Sequence, residues 1–93
     1  MKVSIIIPVY HVEPYIVRCL QSVVVQEKSI DIELILVDDC GNDNSILLAT
    51  DFLERCKGVD YRILYHTQNG GLSAARNTGL KAATGEYVYF LDS

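Results

Sequence analysis

Cysteines are few, and their number and spacing suit neither a disulfide framework nor a zinc site. The 93-residue chain has three, Cys19, Cys40 and Cys56, and it contains no Cys-x-x-Cys pair. A disulfide framework uses an even number of cysteines, and structural zinc sites usually contain Cys-x-x-Cys pairs. The pattern favours a reducing compartment, and we expect the protein to lie in the cytoplasm.

Basic charge and long apolar runs are also scarce. The formal net charge is -4, which disfavours nucleic acid as a partner because a phosphate backbone attracts a basic surface. No apolar stretch approaches the roughly 20 residues that span a bilayer. The apolar run at the start is short and interrupted by Pro8, so it does not read as a signal peptide. These features are compatible with a parent protein that acts at the inner face of the membrane.

The chain does contain a regular alternation of two hydrophobic patterns. Four β-rich runs alternate with three helical patterns, which predicts strands at residues 3–9, 33–37, 61–65 and 86–91, and helices from Pro14, from an N-cap at Asp43, and over 72–84 with Gly85 as the stop. The first helix has an apolar stripe at Ile16, Leu20, Val23 and Val24. The order βαβαβαβ predicts an α/β unit of three layers, α/β/α, with a Rossmann-like parallel sheet in the strand order 3-2-1-4.

The third helix is expected to lie close to the sheet. Most residues on its predicted inner face have small side chains; the face consists of Leu72, Ala75, Gly79, Ala82 and Ala83. Small side chains let a helix axis approach its neighbours closely.

Ligands of an open parallel sheet bind outside the carboxyl ends of the strands, where the strand order switches. Here the switch lies between the first and fourth strands, so the segments of interest are 8–11, 38–39, the loop before Leu72, and 92–93. No Gly-x-Gly-x-x-Gly follows the first strand, and no Gly-x-x-x-x-Gly-Lys occurs, so the usual fingerprints of dinucleotide and P-loop binding are missing. A site lined by carboxylates would instead hold a pyrophosphate through a divalent cation such as Mg²⁺ or Mn²⁺.

Several side chains at these strand ends have two interpretations each. Asp38 and Asp39 point to opposite faces; either both are turn and cap residues, or one accepts a hydrogen bond from a base N–H. Tyr10 either stacks on a base or covers the edge of the core. Arg76, near the start of the third helix, either contacts phosphate or is a solvated surface residue.

The two histidines, His11 and His66, have no Cys or His partner at ligand spacing. We expect both to be solvent-exposed loop residues.

Five segments resemble family 2 glycosyltransferases, in the same order and at the same spacing. They are residues 3–10, 19–23, 34–45, 70–80 and 83–93, and the most specific is Gly-Gly-Leu-Ser-Ala-Ala-Arg-Asn-Thr-Gly-Leu at 70–80. The resemblance implies that residues 1–93 are the N-terminal, nucleotide-sugar-binding part of a GT-A fold. It also implies a nucleotide-diphospho-sugar donor, UDP-linked by default, and a divalent metal, Mg²⁺ or Mn²⁺.

The resemblance also implies roles for individual residues. Pro8 and Tyr10 would flank the base, and Asp39, with Asp38 beside it, would meet the base N–H. Arg76 would lie near the nucleotide or its phosphates. Asp92 matches the first carboxylate of an Asp-x-Asp motif and would lie near the ribose and the metal. His11 departs from the family, which commonly has asparagine there.

The implied reaction transfers a sugar to an acceptor hydroxyl, usually with inversion, in bacterial polysaccharide or cell-envelope synthesis. The acceptor would be a glycan or a lipid-linked molecule. The catalytic base and the second Asp of the motif would lie beyond Ser93, so no catalytic residue is assigned, and we expect the 93 residues alone not to transfer sugar. The fourth strand would be an exposed sheet edge, which predicts self-association.

Three other classes fit the pattern less well. A receiver-like regulatory module has its acidic pair after the first strand, whereas here Tyr10 and His11 follow it. A Rossmann oxidoreductase would have the glycine fingerprint. A non-catalytic nucleotide-binding module remains the alternative. A purely structural α/β module would not need so many special residues at the ligand-binding edge.

Overall fold

The computed structural model describes residues 1–24 and 30–92 as an alternating α/β unit. Within these residues the elements are β1 (Lys2–Val9), α1 (Ile16–Val24), β2 (Asp31–Asp38), α2 (Ser45–Arg55), β3 (Asp60–Tyr65), α3 (Leu72–Ala82) and β4 (Tyr87–Phe90). All strand pairs are parallel, and the order is β3-β2-β1-β4. The predicted sheet and strand order are confirmed. No helix in the described part of the chain is long and apolar enough to cross a membrane.

Strand β1 is the centre of the fold because its apolar residues are buried on both faces. Ile5 and Ile7 face one side, where α1 and α2 pack, and Ile6 faces the other, where α3 packs. This alternation follows from the period of two in a strand. The sheet therefore lies between two helical layers, as the sequence predicts.

Helix α1 buries the predicted stripe. Ile16, Leu20 and Val23 are buried, and Val24 is half-buried. These side chains pack in one cluster with Ala49 and Leu53 of α2 and with the face of β1 and β2 that the two helices cover. This layer contains most of the hydrophobic core.

The start of α2 differs from the prediction. Asn44, not Asp43, occupies the N-cap position, and its side chain makes no capping hydrogen bond. Asp43 instead accepts hydrogen bonds from the Ser45 backbone N–H and the Ser45 hydroxyl, both at 3.1 Å. The same hydroxyl accepts from the Val12 N–H. The loop after β1 thus contacts the Ser45 side chain, and α2 starts one residue later than predicted.

Helix α3 lies against β1 at very short range. A Cβ on Gly79 would collide with the Ile6 side chain, because three Ile6 carbons lie within 3.3 Å of its position. Ala75 is fully buried on the same face, and Ala82 and Ala83 are half-buried. Leu72, however, is 48% exposed. The prediction that it faces the sheet is wrong, because it stands in the first turn, at the rim of the cavity described below.

Helix α3 also ends two residues earlier than predicted, at Ala82 rather than Thr84. Ala83 is already extended. The Thr84 N–H donates to Glu33 at 2.9 Å, and the Gly85 N–H donates to the Ser4 hydroxyl at 2.8 Å. These long-range bonds end the helix before the predicted Gly85 stop.

Glu33 is a buried carboxylate at the amino end of β2, and it holds this loop. Its oxygens accept from the Ser4 hydroxyl at 2.6 Å, from the Thr84 N–H and from the Thr84 hydroxyl at 3.0 Å, and Lys2 Nζ lies 3.8 Å away. Burial is the largest influence and raises the pKa of Glu33. The hydrogen bonds together outweigh it, so the pKa falls from 4.5 to about 2.

Strand β4 is short and exposed at the edge of the sheet beside β1. All four of its residues, Tyr87 to Phe90, are exposed. Self-association through this edge stays a prediction.

We expect Glu33→Gln to lower the free energy of unfolding by about 1–3 kcal/mol at neutral pH, because an amide cannot accept all of these hydrogen bonds. Since folding lowers the pKa of Glu33, its contribution is complete above pH 4.5 and is lost between about 4.5 and about 2. Denaturant unfolding at several pH values measures both effects. Glu54→Gln, at an exposed position, is the control, and equal pH profiles for wild type and Glu33→Gln would contradict the prediction.

We expect Gly79→Ala to destabilise the fold by roughly 1–3 kcal/mol, because overpacking against Ile6 outweighs the better helix propensity of alanine. Lys81→Ala on the exposed face of the same helix should be nearly neutral. Denaturant midpoints compare the two variants, and a Gly79→Ala chain as stable as wild type would show that α3 is not so closely packed.

Candidate active site

A cavity of about 420 Å³ opens at the carboxyl ends of β1 and β2, beside the start of α3. It lies where the strand order switches, the position at which open α/β sheets bind ligands. Its lining residues are Pro8, Tyr10, Val12, Asp39, Asn69, Gly71, Leu72, Ala75 and Asp92. Of the six residues predicted from the sequence, four line this one cavity: Pro8, Tyr10, Asp39 and Asp92.

The Tyr10 ring is presented at the wall of the cavity by the turn after β1. Tyr10 is 45% exposed and stacks on the His11 ring, with centroids 4.1 Å apart and planes at 16°. His11 has a left-handed φ of 52°, which is unusual without glycine. Its Nε2–H donates to the Gly41 carbonyl at 2.6 Å. His11 is thus exposed as predicted, but its ring is held in place and supports Tyr10.

The two adjacent aspartates have different environments. Asp38 is half-buried, does not line the cavity, and accepts from the Gly41 N–H at 3.3 Å. It is the turn residue of the pair. Asp39 is only 3% exposed and reaches the cavity. Of the two aspartates, only Asp39 lines the cavity.

Asp39 binds the loop that precedes α3. Its Oδ1 accepts from the Gly70 N–H at 2.8 Å and from His66 Nδ1 at 2.7 Å, and its Oδ2 accepts from the Gly71 N–H at 2.8 Å. The Asn69 side chain also donates to the Asp39 carbonyl at 3.2 Å. A carboxylate oxygen can accept two hydrogen bonds. Within the described residues, Oδ1 has both and Oδ2 has one, which leaves an acceptor position on Oδ2 for a ligand.

Asp39 is ionised at neutral pH despite its burial. Burial is the largest influence and raises its pKa, but the hydrogen bonds from Gly70, His66 and Gly71 together outweigh it and lower the pKa below the ordinary 3.8. The cavity therefore contains a fixed negative charge that accepts hydrogen bonds and cannot donate one.

The prediction that His66 is a solvent-exposed loop residue is wrong. Its side chain is 17% exposed and lies between Asp39 and the Thr78 hydroxyl, 2.7 Å from each. Its backbone N–H donates to the Asp38 carbonyl at 2.8 Å, which extends the pairing of β3 with β2. Sequence reasoning also missed Asn69 and Gly71. Both stand in the loop before α3, one of the segments of interest named from the sequence, and Gly71 also lies in the family-like stretch at 70–80.

Arg76 and Asp92 form an ion pair at the rim. Arg76 Nη2 donates to both Asp92 oxygens, at 3.2 and 3.0 Å, and the guanidinium lies 5.8 Å from the centre of the Phe90 ring. Arg76 does not line the cavity itself but reaches it through Asp92. Its Nε is buried without a hydrogen-bond partner in the described part of the chain.

A metal at this site would have Asp92 as its protein ligand. Within residues 1–24 and 30–92, no three His, Cys, Asp or Glu side chains lie close enough together to hold a metal ion. Mg²⁺ and similar hard cations, however, often bind through one or two carboxylates together with substrate phosphates. An exposed carboxylate at the rim of the cavity fits that mode. Ser93 lies outside the described residues.

Comparison with known proteins identifies the family. Residues 4–93 match the model of glycosyl transferase family 2. An uncharacterised glycosyltransferase of Bacillus subtilis, EpsJ, is 52% identical over 91 residues, which are 97% of this chain and 25% of that protein. A poly(ribitol-phosphate) beta-glucosyltransferase of Bacillus spizizenii is 41% identical over 95 residues, covering 100% of this chain and 15% of that protein. The chain thus spans a quarter or less of the length of these relatives.

Solved structures give the same result. The Staphylococcus aureus TarS structure with UDP, comprising residues 1–349, has a TM-score of 0.86 and 33% identity, covering 100% of this chain and 27% of that one. The mannosyltransferase PcManGT of Pyrobaculum calidifontis, in complex with GDP-Man and Mn²⁺, has a TM-score of 0.89 and 27% identity over 97% of this chain and 26% of that one. The expected GT-A fold is confirmed, and a receiver-like or oxidoreductase assignment is excluded. With a family match over nearly its whole length and a cavity at the switch point of a GT-A sheet, this chain belongs to glycosyl transferase family 2.

Proposed function

We propose that these residues bind the nucleotide of a nucleotide-diphospho-sugar donor, with UDP as the default, for a sugar transferase. The observation that carries the proposal is the convergence of Pro8, Tyr10, Asp39 and Asp92 on one cavity from three strand ends. An aromatic ring, a buried carboxylate and an exposed carboxylate are the groups needed for a base, its N–H edge and a metal-bound diphosphate. TarS with UDP and PcManGT with GDP-Man and Mn²⁺ support it by similarity.

The base would lie against Tyr10 and Pro8 and donate its N–H to Asp39. Uracil has such a donor at N3 and guanine at N1, whereas cytosine presents a lone pair at the same edge. A hydrogen bond to a charged acceptor contributes about 1.5–3 kcal/mol. Asp39 would therefore select a base by the hydrogen-bond donors on its edge. It is compatible with UDP and GDP and disfavours CDP.

The diphosphate would lie toward Asp92 and Arg76. Asp92 would hold Mg²⁺ or Mn²⁺, which when bound neutralises the diphosphate and stabilises it as a leaving group. Arg76 supplies a fixed positive charge next to that carboxylate. The start of α3 lies at the same side of the cavity, which also favours an anion.

The parent enzyme would transfer the sugar to an acceptor hydroxyl with inversion, in synthesis of a bacterial polysaccharide or cell-envelope glycan. The acceptor would be a glycan or a lipid-linked molecule. The poly(ribitol-phosphate) beta-glucosyltransferase among the relatives supports this setting. No described residue is assigned as the catalytic base. The cytoplasm, or the inner face of the membrane, remains the expected location.

We expect the chain to bind UDP at least about tenfold more tightly than CDP, because the cytosine lone pair faces the Asp39 carboxylate. Tyr10→Ala should weaken both nucleotides by a similar factor, since stacking does not distinguish the bases. Isothermal titration with Mn²⁺ measures all four affinities. Tyr15→Ala, an exposed tyrosine away from the cavity, is the matched control, and equal affinity for UDP and CDP would refute the role of Asp39.

We expect the 93-residue chain to bind donor without transferring its sugar, because none of its described residues is placed as a base for an acceptor. Incubation with UDP-sugars, Mn²⁺ and glycan acceptors, followed by mass spectrometry, checks this expectation. Transfer that depends on the metal would disprove it.

A further inference from the structure

We propose that His66 is a positioning residue for Asp39, fixing the carboxylate so that Oδ2 faces the base. The inference rests on the proposed function and adds a residue to it. His66 lines no part of the cavity and would touch neither nucleotide nor metal. Its effect would pass through the side chain that does meet the base.

The ring is held at both nitrogens. Asp39 Oδ1 can only accept, so His66 Nδ1 carries a proton and donates to it across 2.7 Å. In the neutral ring, Nε2 then accepts from the Thr78 hydroxyl, also across 2.7 Å. Two bonds at fixed positions leave the imidazole one orientation and one tautomer.

This ring fixes the rotation of the Asp39 carboxylate. Oδ1 is held by both His66 and Gly70, and Oδ2 is held by Gly71. Without the bond from His66, each oxygen would have one backbone partner, the Gly70 N–H for Oδ1 and the Gly71 N–H for Oδ2. Either oxygen could then serve as the acceptor for the base, and rotation about the last bond of the side chain would cost less.

The same contacts connect three elements. His66 follows β3, Asp39 follows β2, and Thr78 lies in α3, seven residues after the Gly71 N-cap that Asp39 also binds. The carboxylate therefore binds the beginning of α3 directly and a later turn through His66. A shift or rotation of α3 would break one of these bonds, so the position of the helix and the aim of the carboxylate are coupled.

Two substitutions separate the two nitrogens. In His66→Asn, the amide nitrogen occupies the place of Nδ1 and keeps the bond to Asp39, while the bond to Thr78 is lost. In His66→Gln, the amide group takes the place of Nε2, so it reaches Thr78 and the bond to Asp39 is lost. Both variants are polar and smaller than histidine, and the unfolding free energy of each is measured alongside binding.

We expect His66→Gln to bind UDP about tenfold more weakly than wild type, since Asp39 loses the hydrogen bond that fixes the rotation of its carboxylate toward the base. His66→Asn should stay within about threefold of wild type, because the charged bond is kept and only a neutral one is lost. The preference for UDP over CDP should fall in His66→Gln and persist in His66→Asn. A purely structural role would lower affinity in proportion to stability in both variants without changing that preference, and this result would overturn the proposal.

Amide hydrogen exchange at Gly70 and Gly71 gives a second readout that needs no nucleotide. We expect faster exchange in His66→Gln than in His66→Asn. If wild type binds neither UDP nor GDP, the proposed function is wrong, and the exchange data alone decide whether His66 positions Asp39. Equal exchange in the two variants would reject that positioning whether or not UDP binds.

Discussion

The structure depends on the way the second strand holds α3 by two buried carboxylates. Glu33, near the amino end of β2, accepts hydrogen bonds from the loop that follows α3. Asp39, just past the carboxyl end of the same strand, accepts them from the loop that precedes it. A buried carboxylate is stable only when its oxygens are satisfied, so each charge is retained because backbone N–H groups of the α3 loops meet it.

This arrangement explains why a helix with so few large apolar side chains can form one whole layer. Burial of Ala75 and Gly79 removes little apolar area from water compared with the Leu and Ile residues of the opposite layer. Hydrogen bonds at both ends compensate for this, and the missing side chain at Gly79 brings α3 close to Ile6. The start of α3 is thereby brought beside the ends of β1 and β2, where the cavity forms.

The two ends of the sheet thus have different tasks. At the amino end, Glu33 is hydrogen-bonded to Ser4 and Thr84 and does not line the cavity. At the carboxyl end, Asp39 is likewise hydrogen-bonded but retains one acceptor position toward the cavity, and Tyr10 and Asp92 reach the same space from β1 and from the end of β4. The α3 loop therefore holds in place the same carboxylate for which we propose a contact with the base.

The sequence by itself predicted the seven elements and the strand order, because buried parallel strands have continuous apolar runs. Since topology brings the carboxyl ends of such strands to one edge, it also predicted where a ligand would bind. Of the residues it named there, Pro8, Tyr10, Asp39 and Asp92 line one cavity, and the structure pairs Arg76 with Asp92. Only the tertiary structure decided the role of His66, the exposure of Leu72, the end of α3 at Ala82 and the start of α2 after Asn44. Each depends on a partner or neighbour far away in the chain, such as Glu33 for Thr84 or Asp39 for His66, and periodicity and local propensity carry no information about such contacts.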